Sequence, residues 1–145
     1  MNIIDVKEKL RDERVLGMIS LSQYMPTKKI MNTLIDKYEA DKSIYAFAGD
    51  INNSICGTII LKQIIDKEYE IVNIATDPSF RKQGVASKLV SFATDYLKCG
   101  LVKAETDDDA VGFYRKYGFQ IESLGKKYPG VVRYICVLKL NNLYN

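Results

Sequence analysis

Two spacings of apolar residues run along this chain and divide it into strands and helices. Short apolar stretches bounded by turn-forming residues predict strands at residues 2–6, 43–48, 55–65, 69–76, 101–105, 119–124 and 131–140. Apolar residues three or four positions apart predict helices at residues 12–24, 27–38, 84–97 and 110–117. The chain uses both kinds of element throughout, so the predicted fold class is mixed α/β (α+β).

The order of these elements indicates how they pack. Three successive strands between residues 43 and 76 have short connections, which is typical of an antiparallel meander. The helix that starts at Gly84 carries the chain across, so the strand at 101–105 is expected to run parallel to the third strand of the meander. Residues 1–145 therefore form one predicted domain. The first two helices and their basic connection could be a helix-turn-helix, but we expect them to pack on the sheet.

Composition excludes several functional classes. The 145 residues are 47% hydrophobic and 27% charged, as in an ordinary globular protein. The net charge of +3 is too small to indicate binding to nucleic acid. Because no apolar run reaches membrane-spanning length and residues 1–9 lack the apolar core of a signal peptide, we expect a cytoplasmic protein with no membrane partner.

Cysteine and histidine usage narrows the possible chemistry. Cys56, Cys99 and Cys136 are too scattered for a disulfide framework or a metal site, and Cys56 and Cys136 lie in strand-like apolar runs where a thiol is usually a core residue. The chain has no histidine, which excludes a Ser-His-Asp or Cys-His mechanism and the usual zinc enzymes. We therefore predict no metal, and a base or acid supplied by Glu, Asp, Tyr, Lys or water.

A strand, a basic loop and a helix follow one another between Glu70 and Leu97. The loop reads Arg-Lys-Gln-Gly-Val-Ala from Arg81 to Ala86. The first amide groups of a helix have no intrahelical acceptor, and the helix macrodipole adds partial positive charge there. A glycine at position 84 lets an anion approach the backbone closely. This pattern predicts a phosphate-binding loop.

The loop Arg81-x-x-Gly84-x-Ala86 resembles the [RQ]-x-x-G-x-[GA] signature of the GNAT superfamily of N-acetyltransferases. Residues 112–119, with the sequence GFYRKYGF, resemble the FYxxxGF block of the same family. The two segments keep the family's order and separation, and the resemblance extends over roughly residues 40–140. It implies a central mixed, mostly antiparallel sheet flanked by helices, with acetyl-coenzyme A as cosubstrate and an amine as acceptor.

The resemblance also assigns residues to the cofactor. The backbone of Ile74, Ala75 and Thr76 would pair with the pantetheine arm and polarise the acetyl carbonyl, as if the cofactor were an extra strand. Asp107 stands where relatives often carry asparagine, and an ionised carboxylate cannot donate the corresponding hydrogen bond. The acidic run 107–109 could instead cap the helix that follows. The residues assigned to the pyrophosphate are Arg81, Lys82, Gln83, Gly84, Val85, Ala86 and Ser87.

Acetyl transfer to an amine needs a base for the amine, stabilisation of the developing oxyanion and a proton donor for the thiolate. Tyr114 stands at the position of the FYxxxGF block that lies beside the coenzyme's sulfur in many relatives, so it is the predicted acid, although a core aromatic is the alternative. Glu70 and Glu105 are equal candidates for the base, and an ordered water is the third. Glu105 and the acidic run 107–109 could also form an acidic mouth that attracts a cationic amine.

The predicted activity is direct transfer of an acetyl group from acetyl-coenzyme A to a primary amine, with no covalent acyl-enzyme. The acceptor is unidentified, and the protein is expected to be a monomer or homodimer. A longer acyl group is an alternative within the same fold. A regulatory or sensing module that binds coenzyme A without turnover is an alternative of a different class.

Overall fold

The computed structural model describes residues 1–141, apart from the side chains of residues 127 and 128. Four α-helices fall within this range: α1 (Glu13–Ser20), α2 (Lys28–Ala40), α3 (Val85–Tyr96) and α4 (Val111–Tyr117). The strands are β1 (Asn2–Asp5), β2 (Ile44–Ile51), β3 (Ser54–Ile65), β4 (Glu68–Thr76), β5 (Leu101–Thr106), β6 (Gln120–Tyr128) and β7 (Val131–Lys139). Short 3₁₀ helices at Lys7–Lys9 and Pro78–Phe80 complete the elements.

One sheet contains all of these strands, in the order β1-β2-β3-β4-β5-β7-β6. Every neighbouring pair is antiparallel except β4 and β5, which are parallel because α3 carries the chain across between them. The predicted mixed α/β fold with a mostly antiparallel sheet is confirmed.

The parallel pair stays together for a short distance. Residues 68–70 of β4 pair with residues 101–103 of β5, and beyond that point β4 pairs with β3 and β5 pairs with β7. Since the two strands separate, the β5-facing edge of β4 over residues 71–76 has no strand partner within residues 1–141. The sheet is therefore open at the carboxyl ends of β4 and β5.

Two hydrophobic cores cover the two faces of the sheet. The first core joins the sheet to α3 and α4 through buried side chains such as Phe47, Leu89 and Phe119. The second core joins the opposite face to α1 and α2 through residues such as Ile19 and Ile35. The first two helices thus pack on the sheet, as expected. None of the helices in the described part of the chain has the length and apolarity needed to cross a bilayer.

Some boundaries differ from the sequence-based expectation for local reasons. Helix α1 ends at Ser20 rather than continuing to residue 24, and the hydroxyls of Ser20 and Ser22 donate to carbonyls of its last turn. Strand β2 continues to Ile51, and its turn is made by Asn52 and Asn53, both with positive φ. After α3 the left-handed residue is Lys98, with φ of 51°.

Candidate active site

The basic loop between β4 and α3 has the backbone of an anion-binding site. Lys82 and Gly84 both have positive φ, at 64° and 76°, and α3 begins at Val85 without a side-chain cap. The amide groups of residues 83–87 donate no hydrogen bond within residues 1–141. A Cβ placed on Gly84 would have no atom within 4 Å, so the loop borders open space at this residue. The geometry fits an incoming acceptor such as a phosphate.

The position of this loop depends on Gly57 in β3. A Cβ at Gly57 would lie 2.8 Å from the Ala75 carbonyl oxygen and 2.8 Å from a methyl group of Val85. The amide of Asp77 donates to the Cys56 carbonyl at 2.8 Å, which ties the end of β4 to the same place. Glycine at position 57 thus allows the first turn of α3 to sit directly on β3 and β4.

The loop forms one wall of a cavity of about 670 Å³, which we call the loop cavity. The residues predicted from the sequence that line it are Thr76, Arg81, Lys82 and residues 84–87. Its opposite wall comes from α4, where Phe113, Lys116 and Tyr117 share one helical face. Tyr117 and Ser91 are hydrogen-bonded at 2.8 Å, which links α4 to α3 beside the cavity.

A second cavity, of about 810 Å³, fills the opening between β4 and β5, and we call it the cleft. Residues 71–74 of β4 line one side, and Glu105, Thr106 and Tyr114 line the other. Arg81 lines both the cleft and the loop cavity, so the two cavities are neighbours along the open edge of β4.

Tyr114 combines a packed ring with a place in the cleft wall. The residue is 4% exposed, and its ring meets Phe113 and Phe119 edge-on with centroids 5.1 Å apart in each case. Its hydroxyl has no hydrogen-bond partner within residues 1–141. Burial, and to a smaller extent the nearby thiol of Cys136, raises the pKa of Tyr114 well above its usual value. The phenol therefore stays protonated through the neutral range.

Glu105 faces the cleft beside an arginine. The Arg133 Nε donates to a carboxylate oxygen of Glu105 at 3.1 Å, and the two side chains are 23% and 30% exposed. Glu70, by contrast, lies where β4 and β5 still pair and lines neither cavity. The structure thus brings Glu105 and Tyr114 to the same cavity and leaves Glu70 at its closed end.

These features match a known family. The family model described as "Acetyltransferase (GNAT) domain" matches residues 40–121, more than half of the chain. The chain belongs to the GNAT acetyltransferase family. The predicted family is confirmed.

Relatives of this GNAT protein differ in how much of it they match. "N-alpha-acetyltransferase RimI" of Mycobacterium tuberculosis is 36% identical over 64 residues. The match covers 42% of this chain and 40% of that protein's length. An aminoglycoside 6'-N-acetyltransferase complexed with coenzyme A superposes with a TM-score of 0.80 at 13% identity, over 96% of this chain and 97% of the other. The ribosomal-protein-S18-alanine N-acetyltransferase of Escherichia coli gives a TM-score of 0.73 at 18% identity, over 95% and 92%. At these identities the superpositions establish the GNAT fold alone.

The segment of β4 expected to meet the pantetheine contains a bulge. Asn73 pairs with Ile60 and Ile71 pairs with Leu61, so Val72 is an extra residue with no partner on β3. Ile74 and Thr76 lie in cavity walls, whereas Ala75 is buried in the core under α1 and α2. The cofactor contacts predicted for Ile74, Ala75 and Thr76 are backbone contacts, and they stay predictions.

In this GNAT protein, two of the three carboxylates in the acidic run 107–109 accept hydrogen bonds from other residues of the chain. The carboxylate of Asp107 accepts from the amides of Asp109 and Ala110, both at 3.1 Å, as a cap for the start of α4. The Tyr134 hydroxyl donates to Asp108 at 2.5 Å, and Arg133 holds Glu105. The carboxylate of Asp109 has no such partner within residues 1–141. The cap interpretation of the run is thereby favoured over the acidic mouth.

Several lining residues were missing from the sequence-based assignment. Phe113, Lys116 and Tyr117 have the i, i+3, i+4 spacing of one helical face, and that signal could have placed them beside the loop. Asn73 and Arg133 line the cleft without any local signal. Among residues 1–141 no group of three metal-ligating side chains comes together. Gln83 is exposed in the loop and lines neither cavity, so its predicted cofactor contact stays a prediction.

Proposed function

We propose that this protein transfers an acetyl group from acetyl-coenzyme A directly to a primary amine. The observation that carries the proposal is that the two cavities are neighbours along the free edge of β4. Unpaired loop amides lie at one end, Tyr114 and Glu105 lie at the other, and Arg81 lines both. A thioester that reached from the loop into the cleft would run along the free edge of β4.

The chain's own groups fit such a ligand. The amides of residues 83–87 would bind the pyrophosphate, with Arg81 and Lys82 adding positive charge. The open edge of β4 at Ile74 and Thr76 would hydrogen-bond the pantetheine amides as a neighbouring strand does. The acetyl thioester supplies the electrophilic carbonyl, and the distorted backbone at Val72 and Asn73 is where an amide could turn toward it.

Tyr114 would act at the departing sulfur. Because burial raises the pKa of its phenol, Tyr114 holds its proton and donates a hydrogen bond to the developing thiolate. Starting from an ammonium acceptor, the N–C bond forms and the C–S bond breaks. The three nitrogen protons are then distributed, one to the amide product, one to the thiol and one to solvent. If Tyr114 donates its own proton to the sulfur, one of the nitrogen protons replaces it.

Glu105 is the better placed of the two candidate bases. It lines the cleft with Tyr114, whereas Glu70 lies at the closed end where β4 and β5 pair. Glu70 shares a strand face with Val72, so a water chain could still connect it to the cleft. We therefore assign the base to Glu105, acting directly or through water, with Glu70 as the residue to compare.

The acceptor is proposed as a primary amine of undetermined class. The names of the relatives suggest two acceptors to test first, a protein α-amine and an aminoglycoside amine. Two arginines and three acidic residues line the cleft, which leaves a formal charge of −1. A cationic acceptor is therefore favoured. The preference is weaker than it would be if Glu105 and the acidic run 107–109 formed a mouth without nearby cations. The cytoplasm stays the predicted compartment, and a monomer or homodimer the predicted state.

The test is release of free thiol from acetyl-coenzyme A in the presence of amines. The panel should contain polyamines, aminoglycosides, amino acids and short peptides with free amino termini. We expect thiol release that depends on both enzyme and amine, with acetylated amine found in equal amount by mass spectrometry. Binding of acetyl-coenzyme A with no amine-dependent thiol release across the panel would instead favour the sensing module.

A further inference from the structure

We propose that Arg133 is a positioning residue that holds the Glu105 carboxylate toward the cleft and keeps it ionised. This inference rests on the proposed function, because it concerns the base of that reaction. Arg133 and Glu105 both line the cleft, and the Nε–H of Arg133 lies 3.1 Å from the carboxylate. No motif of the family resemblance includes position 133, which lies in the last strand.

The sheet order produces this contact. Strand β7 inserts between β5 and β6, and its register places Glu105 opposite Ile135. Arg133 is two residues from Ile135, so its side chain lies on the same face as Glu105. The next residue, Tyr134, points to the other face and holds Asp108. Strand β7 thus fixes residues 105–108 from both sides of the sheet, next to the start of α4.

The burial of the pair makes the contact effective. Side chains that are 23% and 30% exposed are partly shielded from water, so their attraction is less screened than that of a surface pair. An arginine beside a carboxylate favours its ionised form. Arginine is also suited to this place because its planar guanidinium fixes direction as well as charge.

Other charged groups could influence Glu105, and they act in both directions. Lys103 lies two residues away on the same face but is paired with Glu68 at 3.6 Å. The remaining groups share the cleft or the strand face with Glu105: Arg81, Asp107 and Asp109 in the cleft, Glu70 on β4 and Glu122 on β6. Arg133 contacts Glu105 directly, through its Nε at 3.1 Å.

The consequence for the reaction is a base that is ready at neutral pH. A carboxylate in a partly buried cleft would tend to take up a proton, and a protonated Glu105 could not accept one from the acceptor's ammonium. Arg133 opposes that tendency. It also restricts the side-chain torsions of Glu105, so the same oxygen faces the acceptor at each turnover.

The experiment compares Arg133→Gln, Arg133→Lys, Glu105→Gln and Glu70→Gln. Arg11→Gln is the matched control, because it removes an arginine that is paired with carboxylates far from the cleft. For Arg133→Gln the acidic limb of kcat/KM should move up by about one pH unit, so activity below the limb falls about tenfold. Arg133→Lys should return the limb to within about half a unit of wild type, since it restores the charge. Arg11→Gln should leave the profile in place.

A second measurement does not depend on turnover. The carboxyl carbon of Glu105 can be titrated by NMR in the protein without cofactor, with Glu105→Gln used to assign its signal. Its pKa should be higher in Arg133→Gln than in wild type and intermediate in Arg133→Lys. Should Arg133→Gln fail to fold, the comparison of wild type with Arg133→Lys still reads the same quantity.

Two results would overturn the inference. One is an unmoved acidic limb in Arg133→Gln with a raised KM confined to acceptors that carry a carboxylate, because Arg133 would then bind the acceptor. The other is full activity and an unchanged pH profile in Glu105→Gln, which would remove the base that Arg133 is proposed to position. Absence of thiol release from the wild type with every amine would be a separate failure, that of the proposed transferase itself.

Discussion

Replacing Gly84 with aspartate would put a carboxylate where the phosphate groups of coenzyme A are proposed to bind. Gly84 has φ of 76°, and a Cβ there would meet nothing within 4 Å, so a new side chain enters open space instead of the protein core. Aspartate and asparagine tolerate this left-handed conformation better than most residues, at a backbone cost of about 1 kcal/mol. The fold should therefore survive both substitutions.

The expected loss of affinity has two parts. Bulk from asparagine at position 84 should displace the phosphate from at least one loop amide, and a hydrogen bond to a charged group contributes about 1.5–3 kcal/mol. Aspartate adds repulsion: at about 4 Å, a unit charge costs about 1 kcal/mol in water and about 4 kcal/mol at an effective dielectric constant of 20. Because the loop is exposed, the lower half of that range applies, about 1–2 kcal/mol. The Asp variant should then bind about 5- to 30-fold more weakly than the Asn variant.

Calorimetry with acetyl-coenzyme A on wild type, Gly84→Asn, Gly84→Asp and Gly130→Asp checks this reasoning. Gly130 is the matched control because it has the same φ of 76° and the same open space, but lies in the turn between β6 and β7. Raising the salt from 0.1 M to 1 M shortens the screening length from about 10 Å to about 3 Å, so the ratio of Asp to Asn affinities should approach one. The loop assignment is refuted if Gly84→Asp binds within about twofold of wild type, or if Gly130→Asp loses as much affinity.

Two further substitutions test other parts of the structure. Tyr114→Phe keeps the packed ring and removes the hydroxyl, so kcat should fall about 10²- to 10⁴-fold with acetyl-coenzyme A affinity unchanged, and a kcat within about twofold of wild type would leave Tyr114 a packing residue. The pKa of Asp41 is lowered from 3.8 to about 2, first by hydrogen bonds from Ser43 and then by Lys62. Its stabilising effect is thus present above about pH 4 and lost as pH falls toward 2, so the gap in melting temperature between wild type and Asp41→Asn should close over that window. A gap that persists unchanged at pH 2 would contradict this.

Sequence patterns were sufficient where the structure depends on neighbours along the chain. The helix predicted at residues 27–38 begins with Thr27 as its cap, and the Thr27 hydroxyl accepts from the amide of Ile30 at 3.2 Å. The glycine loop and the α4 residues Phe113, Lys116 and Tyr117 lie on opposite sides of the loop cavity, and the contacts that the family resemblance assigns to the cofactor stay predictions. The predicted range of α1 is too long because the spacing of apolar residues does not indicate where serine hydroxyls compete for the last carbonyls of a helix.

The contact between Arg133 and Glu105 could not be found in this way. Residues 105 and 133 become neighbours because β7 inserts between β5 and β6, and that order is a property of the whole sheet. The same holds for the choice between the two candidate bases. Glu70 and Glu105 look alike in sequence, but the strands pair at Glu70 and have separated by Glu105.

The lining of the cleft favours the proposed transferase over a module that only binds coenzyme A. Binding of the phosphates needs the loop cavity, whose lining does not include Tyr114, Glu105 or Arg133. Keeping polar groups partly buried costs free energy unless they are paired, and the cleft keeps several: an ion pair at 3.1 Å and a tyrosine hydroxyl with no partner in residues 1–141. A sensing module would gain stability by filling this space with apolar side chains. The proposed reaction needs a protonated donor and an ionised acceptor facing one cavity, and Tyr114 and Glu105, to which we assign these roles, both line the cleft.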